Sequence, residues 1–169
     1  GNRLITARAE SIAGKPAFRN AFRKRRCVIV ADGFYEWQKR VDGKHPMWVY
    51  APDGEPFAMA GLWEIWDRGG EPVRSCTILT TGANPFMRPI HDRMPVILNA
   101  ERRRRWLGRG VGEEELFEVL SSVGDVELDA HEVSTMVNSP ANDLPECIEA
   151  VEPVAELLPL SGLDQRRRG

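Results

Sequence analysis

The chain has no apolar run approaching the ~18 residues that a membrane-spanning helix needs, and we read no signal peptide at its start, so no membrane association is expected. Cysteine is scarce. Cys27, Cys76 and Cys147 are an odd number, widely spaced and without a CxxC pair, which argues against a disulfide framework or a thiolate zinc cluster and favours a reducing cytosol. The three cysteines read as small buried hydrophobes in strands or at a strand end. Histidine is scarcer still for its role as a ligand: three residues spread over loops give no metal spacing, and no small-molecule cofactor motif is present. Net charge is only −2, so no global excess of basic residues announces a polyanionic partner. There is no internal repeat and no domain-length linker.

What is present fits one domain. A chain of 169 residues buries roughly 68–70% of its unfolded surface, and a 42% hydrophobic content is ordinary for a globular protein. The charges are clustered: Arg23 to Arg26, Arg102 to Arg105 and Arg166 to Arg168 are basic runs, and Glu113 to Glu115 is acidic. A solvated helix face or tail explains each run, although a basic face also steers a polyanion.

Strand-like alternation is already running at Arg3-Leu4-Ile5-Thr6-Ala7-Arg8, and domains seldom begin in mid-strand, so we expect the chain to be part of something longer. Pro16 opens a helical pattern with Phe18 and Phe22 on one face, and Arg23 to Arg26 fall at its carboxyl end. From Cys27 to Thr81 the pattern is β. Cys27 to Ala31 is an apolar run expected to continue into Phe34 to Trp37. Asp42-Gly43 marks a hairpin before Met47 to Tyr50, and Pro52-Asp53-Gly54 precedes a strand over Phe57 to Trp66. Gly69-Gly70 precedes a further strand, Val73 to Thr81. Four strands with short turns predict an antiparallel meander. Pro95 to Leu98 is a short strand, Asn99 caps a helix over Ala100 to Leu107 that Gly108 ends, and Glu113 to Leu120 is a second short helix. Val126 to Val137 reads as strand. We expect an α+β domain over residues 1–160, mostly antiparallel sheet curled or barrel-like around a core with a few short flanking helices, and a disordered basic tail over 161–169.

Two segments carry chemistry. Gly33-Phe34-Tyr35-Glu36-Trp37 sets one carboxylate inside an aromatic run, where loss of water raises a glutamate's pKa toward a range in which it can give and take a proton. Pro89-Ile90-His91-Asp92-Arg93-Met94-Pro95 holds a histidine, the side chain type that titrates nearest neutrality, on a proline-stiffened loop. Strand alternation puts Asp32, Phe34 and Glu36 on one face and Gly33, Tyr35 and Trp37 on the other. Read singly, Glu36 is equally a strand-end carboxylate paired with an arginine, His91 a loop residue, and Asp92–Arg93 a local pair. Together they read as half of an active site, with no nucleophile in evidence.

Ala31 to Trp37 and Ile90 to Pro95 resemble the two hallmark motifs of the SOS response-associated peptidase family, the abasic-site processing proteins. Thr6-Ala7-Arg8-Ala9-Glu10 is similar to the family's third motif, and His131 to Asn138 to its C-terminal strand motif. The resemblance runs in order from Leu4 to about Val154. It implies binding of single-stranded DNA and covalent capture of the ring-opened aldehyde of an abasic site as a thiazolidine, by a cysteine exposed on removal of the initiator methionine. The resemblance casts Glu36 as acid/base for ring opening and closure, and His91 as an aid to proton transfer and crosslink reversal. It gives phosphate contacts to Arg8 and Arg93 and a DNA contact to Thr80. Thr6 stands where the family has an asparagine, which weakens or rearranges aldehyde recognition. The segment bearing the nucleophile is expected to be absent here, and no internal cysteine can replace it, because a thiazolidine needs a free amine on the same residue.

Three readings follow. The first is the crosslinking enzyme, with N-terminal peptidase-type processing, acting in the DNA-damage response in the cytoplasm at the nucleoid, without cofactor or metal. The second is a non-catalytic single-stranded DNA-binding module using Trp37, Trp48, Trp63 or Trp66 for stacking. The third is a protease. Further DNA contacts are expected from Lys15 and Arg88, and none from Arg102 to Arg105. Oligomeric state stays open.

Overall fold

Asp32 divides what the sequence presents as one long strand. The computed structural model describes residues 6–67, 69–121 and 126–151. The expectations for residues 3–5 and for the 161–169 tail lie outside that range. Within it, Arg26–Ala31 (β2) and Gly33–Arg40 (β3) belong to different sheets, so the expected four-strand meander does not form. Gly33 is required just after the corner: a Cβ there would lie 2.3 Å from the Trp48 indole. β3 then forms a hairpin with Gly43–Tyr50 (β4), turning through Gly43 at φ 146°.

The remaining strands are Thr6–Arg8 (β1), Phe57–Trp66 (β5), Val73–Gly82 (β6), Arg93–Pro95 (β7), Ile97–Leu98 (β8) and Asp129–Glu132 (β9). The first sheet runs β1-β6-β5-β2, with β7 added to β6 and β8 to β5; the second runs β3-β4-β9. Every pairing is antiparallel except β1 with β6, where Thr6 faces Ile78 and Arg8 faces Thr80. The result is the expected α+β fold, a mostly antiparallel sheet curled into a half-barrel with, among the described residues, three helices. The expected strand over Val126 to Val137 is shorter, because Ser134 caps a 3-10 turn at Thr135–Asn138 by accepting from the Met136 amide.

The helices Pro16–Lys24 (α1), Ala100–Leu107 (α2) and Glu113–Ser121 (α3) cover one side of the first sheet. Phe22, Trp106, Leu116 and Leu120 close over Ala60, Leu62 and Leu79 there. Asn99 caps α2, accepting from the Arg102 amide. Arg102 itself is buried rather than solvated: its guanidinium donates to the carbonyls of Val119 and Ile97. Arg105 pairs with Glu115 and Glu118, which leaves only Arg103 and Arg104 of that run in full exposure. Arg26 is likewise structural, donating to Phe22 O and Arg23 O at the end of α1 and to Trp106 O and Gly108 O at the end of α2.

A second core joins the two sheets. Val49 and Phe34 from the β3–β4 hairpin meet Phe57, Met59, Met94 and Ile97 of the first sheet, together with Met87 and Ile90 from the loop between β6 and β7. That loop is therefore clasped between the layers, and His91 sits where it returns to the first sheet.

Candidate active site

The β6–β7 connection is a hairpin loop closed at its base by Ala83 N–H to Asp92 O (3.0 Å). Asn84 shapes it, its side chain accepting from the Met87 amide and its carbonyl from the Arg88 amide. Met87 is wholly buried beneath, and its carbonyl accepts from both Ile90 and His91. A proline at each end of the segment limits it further. His91 is thus positioned by a sequence that has no periodicity.

β3 brings Glu36 to the same place. Phe34, on the same face, sinks into the inter-sheet core, so Glu36 emerges at the core's margin with a side chain 24% exposed. Its Oε2 lies 4.0 Å from His91 Nε2, a separation that a water or a polar ligand atom can bridge. Burial pushes the Glu36 carboxyl above its ordinary range, and the nearby His91 only partly offsets this. The Arg93 amide donates to His91 Nδ1 (3.1 Å). The Arg93 carbonyl lies 3.2 Å from the same nitrogen, so Nδ1 is engaged by the backbone of its own segment while Nε2 faces Glu36. The Asp92 carboxylate stands 3.3 Å from Nδ1.

Arg93 sits beside this pair in a different setting. Its guanidinium grips Glu10 through two bonds of 2.8 and 2.9 Å and donates to Thr80 O at 2.6 Å. It does not pair with Asp92, whose side chain is 89% exposed. Thr81 also donates to Glu10. The signal the sequence carries for Glu10 is its place at the end of a strand-like alternation in a chain rich in arginine.

The other expected residues divide. Ala7 is buried toward the helices, so Thr6 and Arg8 leave β1 on the opposite, inter-sheet side, exposed and in register with Ile78 and Thr80. Thr80 accepts a further contact from Arg93 on its hydroxyl. Arg88 is exposed on the His91 loop. Lys15 is exposed at the start of α1, in the helical layer. Trp37 is not brought to Glu36: it lies on the other face of β3, where its indole N–H donates to Asn138 (2.8 Å) and neighbouring Tyr35 donates to Cys147 O. Sequence reasoning placed Asn138 in a motif without seeing this partner.

The cysteines differ from expectation in one respect. Cys147 is buried, with its thiol directed at Asn142 O, but Cys76 is exposed on β6. Burial, and then the nearby Cys76, push the Cys27 thiol up to about 11, which leaves it almost wholly protonated at neutral pH. Among the described residues, no three His, Cys, Asp or Glu side chains are grouped to hold a metal ion. No described helix is long and apolar enough to cross a membrane.

The model of the SOS response associated peptidase (SRAP) family matches residues 1–140. The chain is 44% identical over 154 residues to the abasic site processing protein YoqW of Bacillus subtilis (strain 168), covering 89% of this chain and 68% of that protein. It is 34% identical over 166 residues to the abasic site processing protein HMCES of Xenopus tropicalis, covering 85% of this chain and 49% of that one. Among solved structures, the X-ray crystal structure of a protein from Bacteroides thetaiotaomicron matches with a TM-score of 0.79 at 30% identity, over 87% of this chain and 66% of that one. The chain thus spans about two thirds of the length of these bacterial relatives and about half that of the Xenopus protein. With a family match over most of its length, and with both hallmark segments folded against one another, the chain belongs to the SRAP family.

Proposed function

We propose that this chain processes abasic sites in DNA, with Glu36 and His91 as the proton-transferring pair of a covalent capture reaction. The observation that carries the reading is the half-desolvated Glu36 carboxyl, raised by burial, 4.0 Å from the Nε2 of an imidazole held by its own loop. An abasic sugar is mostly a closed hemiacetal. To open it, a base takes the anomeric hydroxyl proton and the ring oxygen receives one in return. A carboxyl held above its usual range performs the first transfer as carboxylate and then has a proton to give. An α-amine adding to the freed aldehyde gives a carbinolamine, which loses water to an imine when its hydroxyl is protonated. Addition of the thiol of the same residue to the imine carbon, with the thiol proton passing to nitrogen, closes a thiazolidine. Glu36 supports ring opening and loss of water, and His91 returns protons in the reverse direction.

The capturing residue in this reading is an amino-terminal cysteine, because none of Cys27, Cys76 and Cys147 carries a free amine. Release of a blocking initiator methionine ahead of that cysteine is the peptidase-type step we include. Single-stranded DNA is the proposed partner, reached in the cytoplasm, with Arg8, Arg93 and Thr80 on the side of the first sheet that faces Glu36. Lys15 and Arg88 are proposed as outer contacts.

The test compares the chain as it stands with a version preceded by an amino-terminal cysteine, each incubated with abasic single-stranded DNA and run on a denaturing gel. The extended chain should form an adduct and the present chain none. Glu36→Gln should slow adduct formation roughly 100-fold. Thr6→Asn should speed capture, and His91→Ala should chiefly slow reversal. An adduct from the present chain would overturn this mechanism.

A further inference from the structure

Gln38 lies two residues beyond Glu36 on β3, so both side chains leave the strand on the same face. The Gln38 amide is held at both ends. Nε2 donates to the Pro89 carbonyl at 3.1 Å, and Oε1 accepts from Arg40 Nε at 2.7 Å. A guanidinium only donates, so Arg40 fixes the oxygen end of the amide and leaves the nitrogen end facing the loop. Arg40 is braced in turn: its Nη1 donates to Glu132 on β9 at 2.7 Å, and the other oxygen of Glu132 meets His45 Nδ1 at 2.7 Å. His45 stands directly opposite Gln38 in the β3–β4 register.

The loop end of this chain of contacts is close to the chemistry, since Pro89 precedes His91 by two residues. The base of the loop is tied to the first sheet through Ala83, Asp92 and the β6–β7 pairing. Gln38 ties its far end to the second. Glu36 belongs to the second sheet and His91 to the loop, so the relative placement of the two depends on what couples loop to sheet. A polar side chain of no consequence would leave its amide to water; this one is half-buried and oriented from both sides.

We infer that Gln38, oriented by Arg40, is a positioning residue that sets the Glu36–His91 separation by holding the His91 loop to the strand that carries Glu36. The geometric part stands by itself, and the functional part rests on the proton-transfer role proposed above. A shift of about an ångström between two reacting groups is enough to cost a large share of rate.

The test is a double-mutant cycle read by NMR on the free protein. His91 and Asp92 are the titratable groups that face the Glu36 carboxyl, and Asp92 is kept throughout so that its contribution cancels. His91→Ala should move the titration midpoint of Glu36 further up in the parent chain, since the imidazole partly offsets the effect of burial. In a Gln38→Met background the same substitution should move it by roughly half as much or less. Should Gln38→Met lose its fold, Gln38→Glu keeps the Arg40 contact but cannot donate to Pro89, and it carries the same expectation. In either background the amides of Ile90 and His91 should exchange faster with solvent. An equal response of Glu36 to His91→Ala with and without the Gln38 donor overturns the inference, whatever happens on DNA. A reduced response with no change in adduct formation by the cysteine-extended chain supports the positioning role and counts against the proposed chemistry instead.

Discussion

Two carboxylates approach the His91–Arg93 segment, one from each sheet, and the protein holds them in opposite states. Glu10 follows β1 of the first sheet, has a side chain 53% exposed, and is clasped by Arg93, whose hydrogen bonds hold its carboxyl below the usual range although burial pulls the other way. Glu36 belongs to the second sheet and is less than half as exposed at 24%; its contact with His91 is stretched to 4.0 Å, and burial prevails. Proximity to a permanent cation in bidentate geometry makes a carboxylate a fixed anion. Withdrawal from water without such a partner makes it a group that can carry a proton. A few residues of loop separate the two behaviours.

The largest expected effect tests the Glu36 side of this contrast. In the cysteine-extended chain, Glu36→Gln should slow adduct formation roughly 100-fold while leaving the fold intact. It should also change the pH dependence of stability in a definite direction. A carboxyl raised in the native state contributes stability that is fully present below its ordinary value of 4.5 and is lost as pH rises through the raised value. Glutamine has no proton to lose, so melting temperatures of the variant and the parent should diverge in the variant's favour as pH rises from that value toward neutrality. Thermal melts across that range that show no such divergence would remove the reason for calling Glu36 a proton carrier.

Next in size, Arg93→Ala should erase the contrast from the other side. It removes bonds to Glu10 and Thr80 at a partly exposed site, which should cost about 1 kcal/mol in chemical denaturation after allowance for screening. NMR titration should find the Glu10 carboxyl returning toward its ordinary range. If Arg93 also meets a phosphate, the salt slope of single-strand binding should fall by about 0.7. Replacing Arg103, which is exposed on α2, should leave that slope unchanged.

The smallest effect concerns Glu10 itself. A depressed carboxyl contributes stability present above 4.5 and lost as pH falls through the lowered value. Glu10→Gln should therefore lower stability at neutral pH by a few tenths of a kcal/mol, the amount usual for an exposed ion pair, with the gap closing in acid. A gap that persists unchanged below the carboxylate range would mean that the ion pair is not its source.

Much of this architecture is legible in the chain. The strand Phe57–Trp66 and the helix Ala100–Leu107, with its Asn99 cap, fall where pattern and capping chemistry place them, because both signals are local. Glu36 and His91 were legible as oddities: a charge among aromatics and a histidine among prolines. What lies beyond local pattern was missed for that reason. Nothing near Asp32 announces that the chain changes sheets there, since the partners that decide it, β5 and β4, lie downstream. Arg102 looks like its neighbours in the run until α3 arrives to offer Val119 O. The indole N–H of Trp37 finds its acceptor in Asn138, about a hundred residues downstream. In each case a long-range partner supplied what the neighbours could not show.

The order of strand partners bears on how such a protein comes into being. The β3–β4 hairpin needs only its own turn to close, so Glu36 acquires its strand early. β1 must wait for β6, and β4 for β9, before either sheet is complete, and closure of such long connections is the slow part of folding. During synthesis Glu36 therefore leaves the ribosome well ahead of the loop that faces it. The Glu36–His91 pair comes into existence only once the β6–β7 loop has been made, so that a shorter nascent product displays the carboxylate without its partner.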